Sequence, residues 1–242
     1  MVTHLRIGEW RKKPGESARE RKITYQELLE TCEDFEQDEE AYNEAWLIAR
    51  KFVDWKNLDS LSLDDIENKV ILFLNRWACH LPKDRRLFTK LKDVFRQNTP
   101  FLKALEGEAI QDFNLEKKKE VEEKEHKNSE VLLKVFRNFS LIGCNFREVA
   151  ASKVLHMINP SLFVMWDNAI CEAYGVKKSP SEYVHDFIPL MKRKANEIIE
   201  SYIADKKCDR EQAVTTLNQF RPLKTLAKML DEYNYMKYTR GL

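Results

Sequence analysis

Glycine and proline are scarce in this chain, with 6 and 7 among 242 residues. Sheets and their turns normally consume more glycine, so a predominantly β architecture is excluded. The five cysteines, Cys32, Cys79, Cys144, Cys171 and Cys208, are odd in number, widely spaced and without a C-x-x-C pair. That spacing indicates neither a disulfide framework nor a zinc or iron–sulfur cage, and no metal site is expected. The thiols are those of a reducing compartment. No run approaches the roughly eighteen apolar residues of a membrane span, and the amino terminus lacks the apolar core of a signal peptide. A cytoplasmic location is expected, nucleoid-associated if the chain binds DNA. An excess of one charge is missing too: the net charge is +1, so any contact with nucleic acid is made by a local patch rather than a broad basic coat. The sequence contains no G-x-G-x-x-G, no G-x-x-x-x-G-K-[ST], no H-E-x-x-H and no G-x-S-x-G, which removes support for nucleotide hydrolysis, zinc proteolysis and serine hydrolysis. No cofactor is implied, and neither an internal repeat nor a strand is predicted.

What remains is a set of amphipathic helices. With 43% apolar and 33% charged residues, the expected class is all-α with a substantial core. Residues 1–22 read as a basic arm around Trp10. A helical lobe is expected over 23–115. Its helices are marked by Tyr25, Leu28, Leu29 and Cys32, then by Tyr42, Ala45, Trp46, Ala49, Phe52 and Val53. Ser62 reads as the N-cap of a third, with Ile66, Val70, Phe73, Leu74 and Trp77 as its stripe. Pro82 closes that helix. Another follows through Leu87, Leu91, Val94 and Phe95, and Thr99-Pro100 reads as a further start. The segment 116–130 is almost wholly charged with mixed signs, and predicts a solvated helix or mobile connector. A second lobe is expected over 131–242, ending in a long helix after Pro180, a shorter one after Asp209, and a last one carrying Leu223, Leu226, Met229, Leu230 and Tyr233. The histidines His4, His80, His126, His156 and His185 are scattered, and His156 reads as structural.

The most informative stretch runs from Val131 to Val176. Val131, Leu132, Val135, Phe136 and Phe139 share one helix face, and the rhythm breaks around Gly143 and Asn145. Ala150, Val154, Met157 and Ile158 mark a second helix, stopped by Asn159-Pro160. An extended SLFVMW run then delivers Asp167, an N-cap residue type, to the start of a third. A tight hairpin between helices exposes successive backbone N–H groups, which together with the next helix start suit a phosphate; Arg147 and Lys153 add charge. Read alone, the same residues describe a plain helix–helix turn and an ordinary cap more readily than a phosphate site.

This stretch, from about Ser129 to Val176 and about a fifth of the chain, resembles the helix–hairpin–helix core of the DNA glycosylase superfamily. The hairpin is Leu141-Ile142-Gly143-Cys144-Asn145 and the aspartate is Asp167 within FVMWDNAI. It is also similar to a largely uncharacterised group of such chains through the wording AASKVLH, NP-x-LF and MWDNAI. The resemblance implies a two-lobed all-α fold, with which the flanking helices are compatible. It implies double-stranded DNA carrying a damaged base as the partner, bound through Gly143, Asn145, Arg147 and Lys153. Asp167 would then stabilise positive charge on the deoxyribose or activate water as the glycosidic bond breaks, and Trp166 and Phe163 would offer faces to an everted base.

The chain departs from the family pattern at two places. Asn145 replaces the second hairpin glycine, which the left-handed tolerance of asparagine permits. Arg147 and Glu148 stand where bifunctional members keep a Schiff-base lysine, and an arginine is no amine nucleophile. Lys153 is the weaker rival catalyst: six residues along a helix place it about 9 Å further on and rotated by roughly 240°. The expectation is a monomeric, monofunctional glycosylase that hydrolyses the N-glycosidic bond. A helix–hairpin–helix DNA-binding module without catalysis and an all-α protein-interaction scaffold are the alternatives.

Overall fold

The helices begin where a side chain can satisfy the free amides of a first turn. In a computed structural model that describes residues 17–50, 57–221 and 223–241, Thr24 caps α1 (Tyr25–Asp38) and α2 (Glu40–Arg50) follows directly. The arm around Trp10, and Phe52 and Val53 of the second expected helix, lie outside the described residues. Ser62 caps α3 (Leu63–Asp65) through a reciprocal capping box with Asp65. That helix continues through a π-helical segment (Ile66–Ile71) into α4 (Leu72–Arg76). Asp84 then caps α5 (Arg85–Ala104).

Thr99-Pro100 does not start a helix, contrary to the sequence reading: α5 passes straight through it. The proline ring leaves the carbonyl of Arg96 without its usual partner, but Arg96 is exposed to water, and Thr99 keeps its hydroxyl within the helix by donating to the Phe95 carbonyl at 2.9 Å.

The charged segment is a second correction. It forms an antiparallel hairpin of β1 (Lys118–Val121) and β2 (Lys124–Lys127), with Lys118 opposite Lys127 and Val121 opposite Lys124. Glu122 and Glu123 both take positive φ, 52° and 64°, as a two-residue hairpin turn requires. The mixed charges that suggested a solvated helix pair across and beside this hairpin: Lys118 with Glu125 at 2.6 Å, Lys127 with Glu116 at 2.6 Å and Lys119 with Glu108 at 2.7 Å. Val121 turns inward and is buried.

The central stretch folds as α6 (Asn128–Ser140), the turn, α7 (Glu148–Ile158), and α8 (Asn168–Tyr174), which Asp167 caps. Ser179 caps α9 (Pro180–Glu182), and a π-helical segment (Tyr183–Phe187) leads into α10 (Ile188–Lys206). Next come α11 (Arg210–Gln219), capped by Asp209, and α12 (Leu226–Asn234), capped by Thr225, with a terminal π-helical segment (Tyr235–Arg240). Leu223 is not part of the last helix: its φ is +62° and it is 56% exposed.

The fold is all-α, with the small hairpin as its only sheet among the described residues. The buried apolar side chains form one continuous core from Ala18 to Met236. It is held across the chain by α1 packed on α12 and α10, and by α6 packed on α5 and α7. Phe136, Trp166 and Tyr183 are all fully buried, and each ring lies within 6 Å of the other two, so α6 is clamped to the loop before α8 and to the segment before α10. No helix among the described residues is long and apolar enough to cross a membrane.

Candidate functional site: a hairpin and an acidic aromatic cleft

The turn between α6 and α7 is held from below by two apolar anchors. Ile142 is 5% exposed and Phe146 0%, and the Phe146 amide donates to the Gly143 carbonyl at 2.9 Å. Between them Gly143, Cys144 and Asn145 all lie in the left-handed region, with φ of +85°, +54° and +67°. Asn145 therefore does what the sequence asked of it in place of a glycine. Gly143 pairs with Phe146 in an isolated antiparallel bridge, while the Cys144 and Asn145 amides make no backbone hydrogen bond among the described residues; both residues are exposed, so those two N–H groups can face an outside acceptor.

Arg147 is the exposed residue that opens α7, with no capping bond from its side chain. A cation that the sequence reading missed completes this patch. Lys90 of α5 reaches the hairpin, its Nζ 3.5 Å from the Ile142 carbonyl and 4.0 Å from where a Cβ on Gly143 would lie. It stands fifty-three residues before Gly143, so only tertiary packing joins it to the motif.

The second feature is a cleft of about 390 Å³ whose walls include Tyr42, Trp77, Lys153, Trp166, Asp167 and Asp231, with Tyr235 and Thr239 at the C-terminal side. Asp167 is half-buried there. Its Oδ1 accepts the Ile170 amide at 2.9 Å, the capping bond, and its Oδ2 accepts the Thr239 hydroxyl at 2.6 Å. Lys153 enters the same cleft from α7, donating from Nζ to the Trp77 carbonyl with the Trp77 ring centroid 6.0 Å away. The helical offset that separated Lys153 from the hairpin exit is the rotation that turns it into the cleft.

Of the two rings expected to face a base, Trp166 borders the cleft but is fully buried, its Nε1 donating to the Glu148 carbonyl at 3.2 Å. Phe163 is fully buried and does not line the cleft; it points into the core, where apolar side chains after a proline stop usually go. The aromatic wall is instead Tyr42, Trp77 and Tyr235, three rings from distant parts of the chain that pack edge to face or tilted, with centroids 5.3 and 5.6 Å from Tyr42. The sequence reading placed Tyr42 and Trp77 on helix faces as core, and did not single out Tyr235.

Beneath the cleft lies a set of buried charges. Lys228 and Asp231, 0% and 2% exposed, pair at 2.9 Å, and Glu232, also 0% exposed, pairs with Lys224 at 2.8 Å. Glu36 pairs with Lys224 in turn, at 2.7 Å. Such ions persist in an interior only when each has a counterion. His156 is fully buried, its Nδ1 hydrogen-bonded to the Phe163 carbonyl; burial and the nearby Lys228 push its pKa well down, so it is a neutral structural ring. The described cysteines are all free, and no group of metal-ligating side chains occurs among the described residues. Comparison of the chain with family models, with curated proteins and with solved structures finds no match.

Proposed function

We propose that this protein is a DNA glycosylase that binds duplex DNA through the hairpin, takes an everted damaged base into the cleft and hydrolyses its N-glycosidic bond without cutting the strand. The observation that carries this reading is the place of α7: it starts directly after an exposed hairpin in which the Cys144 and Asn145 amides make no backbone hydrogen bond among the described residues, and its Val149 and Lys153 line a cleft that holds a carboxylate. Backbone amides, Arg147 and Lys90 suit a phosphate. The aromatic wall suits the face of a base. As the glycosidic bond lengthens, positive charge grows on the sugar, and the carboxylate of Asp167, held rigid by the Ile170 amide and the Thr239 hydroxyl, stabilises it at no cost in reorganisation. Lys153 is tied to the Trp77 carbonyl, which supports hydrolysis rather than an imine pathway.

A DNA-binding module without catalysis is the second reading, and it is favoured by one observation: both oxygens of Asp167 already have partners, as a purely structural cap would. A panel of duplexes carrying single lesions separates the two. The parent is expected to excise at least one lesion, and Asp167→Asn, which keeps a capping oxygen, to slow excision about 100- to 1,000-fold with little change in melting temperature. Equal excision by both proteins would reduce Asp167 to a cap. Borohydride added during the reaction is expected to trap no protein–DNA adduct; an adduct lost in Lys153→Gln would make Lys153 the nucleophile.

A further inference from the structure

The cleft contains a second carboxylate, and its situation is the reverse of that of Asp167. Asp231 projects from α12 and is 2% exposed, yet it lines the cleft. Its Oδ2 accepts from Lys228 at 2.9 Å, while its Oδ1 has no hydrogen-bond partner among the described residues. Lys228 is itself walled in by aromatic rings, its Nζ 4.3 Å from the Trp77 centroid and 5.2 Å from those of Trp46 and Phe35. An ion pair of this kind is expensive to bury, and it is placed against Trp77, a ring of the cleft wall.

We propose that Asp231 is the proton acceptor of the cleft, taking a proton from the attacking water on Oδ1 while Asp167 stabilises the sugar. This assignment rests on the glycosylase reading. In the step, the water oxygen bonds to C1′ as the C1′–N bond breaks, and the bonding pair leaves on the base nitrogen. The water proton passes to Asp231 and from there to the departing base or to solvent, so the products are a free base and a sugar hydroxylated at C1′. The groups that face Asp231 are Lys228 and Glu232 from its own helix, Lys153 from α7, and the Tyr183 phenol from the segment before α10. Burial pushes the Asp231 carboxyl up, against the pull of Lys228, which is the direction that makes a carboxylate a better base. Asp167, capped and doubly bonded, suits the electrostatic role; the two carboxylates divide the work by environment.

The test is single-turnover excision against pH, with thermal unfolding measured in parallel, for the parent, Asp231→Asn, Lys228→Gln and Asp167→Asn. The ionised form of Asp231 is the active one, so the parent rate should rise with pH along a limb displaced above the ordinary carboxylate range. Asp231→Asn should lose the limb and about a hundredfold in rate. Lys228→Gln keeps a donor to Oδ2 but removes the charge that favours ionisation, so the limb should move to higher pH, a response that a structural role would not produce. Asp167→Asn should slow the reaction and keep the limb. An unchanged rate and limb in Asp231→Asn, or an unmoved limb in Lys228→Gln, overturns the assignment, and Lys228→Gln decides alone if Asp231→Asn does not fold. A parent that excises no lesion overturns the glycosylase reading and this assignment with it; parent excision without the predicted shifts overturns the assignment only.

Discussion

The hairpin at 141–146 and the cleft share α7 but are built on opposite plans. The hairpin is contiguous, exposed and strained toward positive φ, with two buried anchors beneath three left-handed residues. The cleft draws its walls from residues between Tyr42 and Thr239, and Asp167 and Lys153 in it are bonded to other protein groups. A surface that meets a backbone phosphate needs little more than free N–H groups and a nearby cation. A site that must hold charge away from water needs every ion balanced, and the balancing groups come from wherever the chain passes.

The difference can be broken from the hairpin side. The largest expected effect is that of Phe146→Ala, which removes the ring that anchors the turn from a fully buried position. It should cost about 3–5 kcal/mol in urea unfolding, whereas Leu141→Ala, at a residue 69% exposed on the same turn, should stay within about 0.5 kcal/mol. Similar losses from the two would mean that the turn is not anchored through Phe146.

Arg147→Glu sharpens the contrast by touching DNA binding and not the cleft. Its expected effect is a loss of about tenfold in affinity at about 0.1 M salt, alike for all duplex sequences, with the salt slope reduced by about 1. Unaltered affinity would take the hairpin out of the interface.

Gly143→Ala is the subtlest. A Cβ there meets nothing closer than Lys90 Nζ at 4.0 Å, so space is no obstacle and the cost is that of holding φ at +85°. About 1 kcal/mol is expected in the same unfolding assay. A loss several times larger would point to a steric role for the glycine that the geometry does not show.

The helical class, most helix starts and the order of the central stretch were legible from residue types and spacing, because a cap or an apolar stripe acts within one or two turns of itself. Ser62, Asp167 and Asp209 each cap the helix that follows them for that local reason. The charged segment at 116–130 misled because its turn uses Glu122 and Glu123 where asparagine and glycine are the usual signal, and because one of its charges, Lys119, pairs with Glu108, which lies outside it. Thr99-Pro100 misled because the dipeptide that opens a helix also fits inside one when the orphaned carbonyl faces water.

What the sequence determined by itself was therefore the local chemistry: where helices start, that residues 143–145 leave the helical region, and that an aspartate stands at the head of α8. Only the tertiary structure decided that Asp167, Lys153 and Asp231 share one cleft, that Lys90 stands beside Gly143, and that Phe163 turns away from both. The physical reason is range. Caps and backbone preferences are settled over a few residues, whereas a cleft with balanced charges is settled by the packing of helices that lie far apart in the chain.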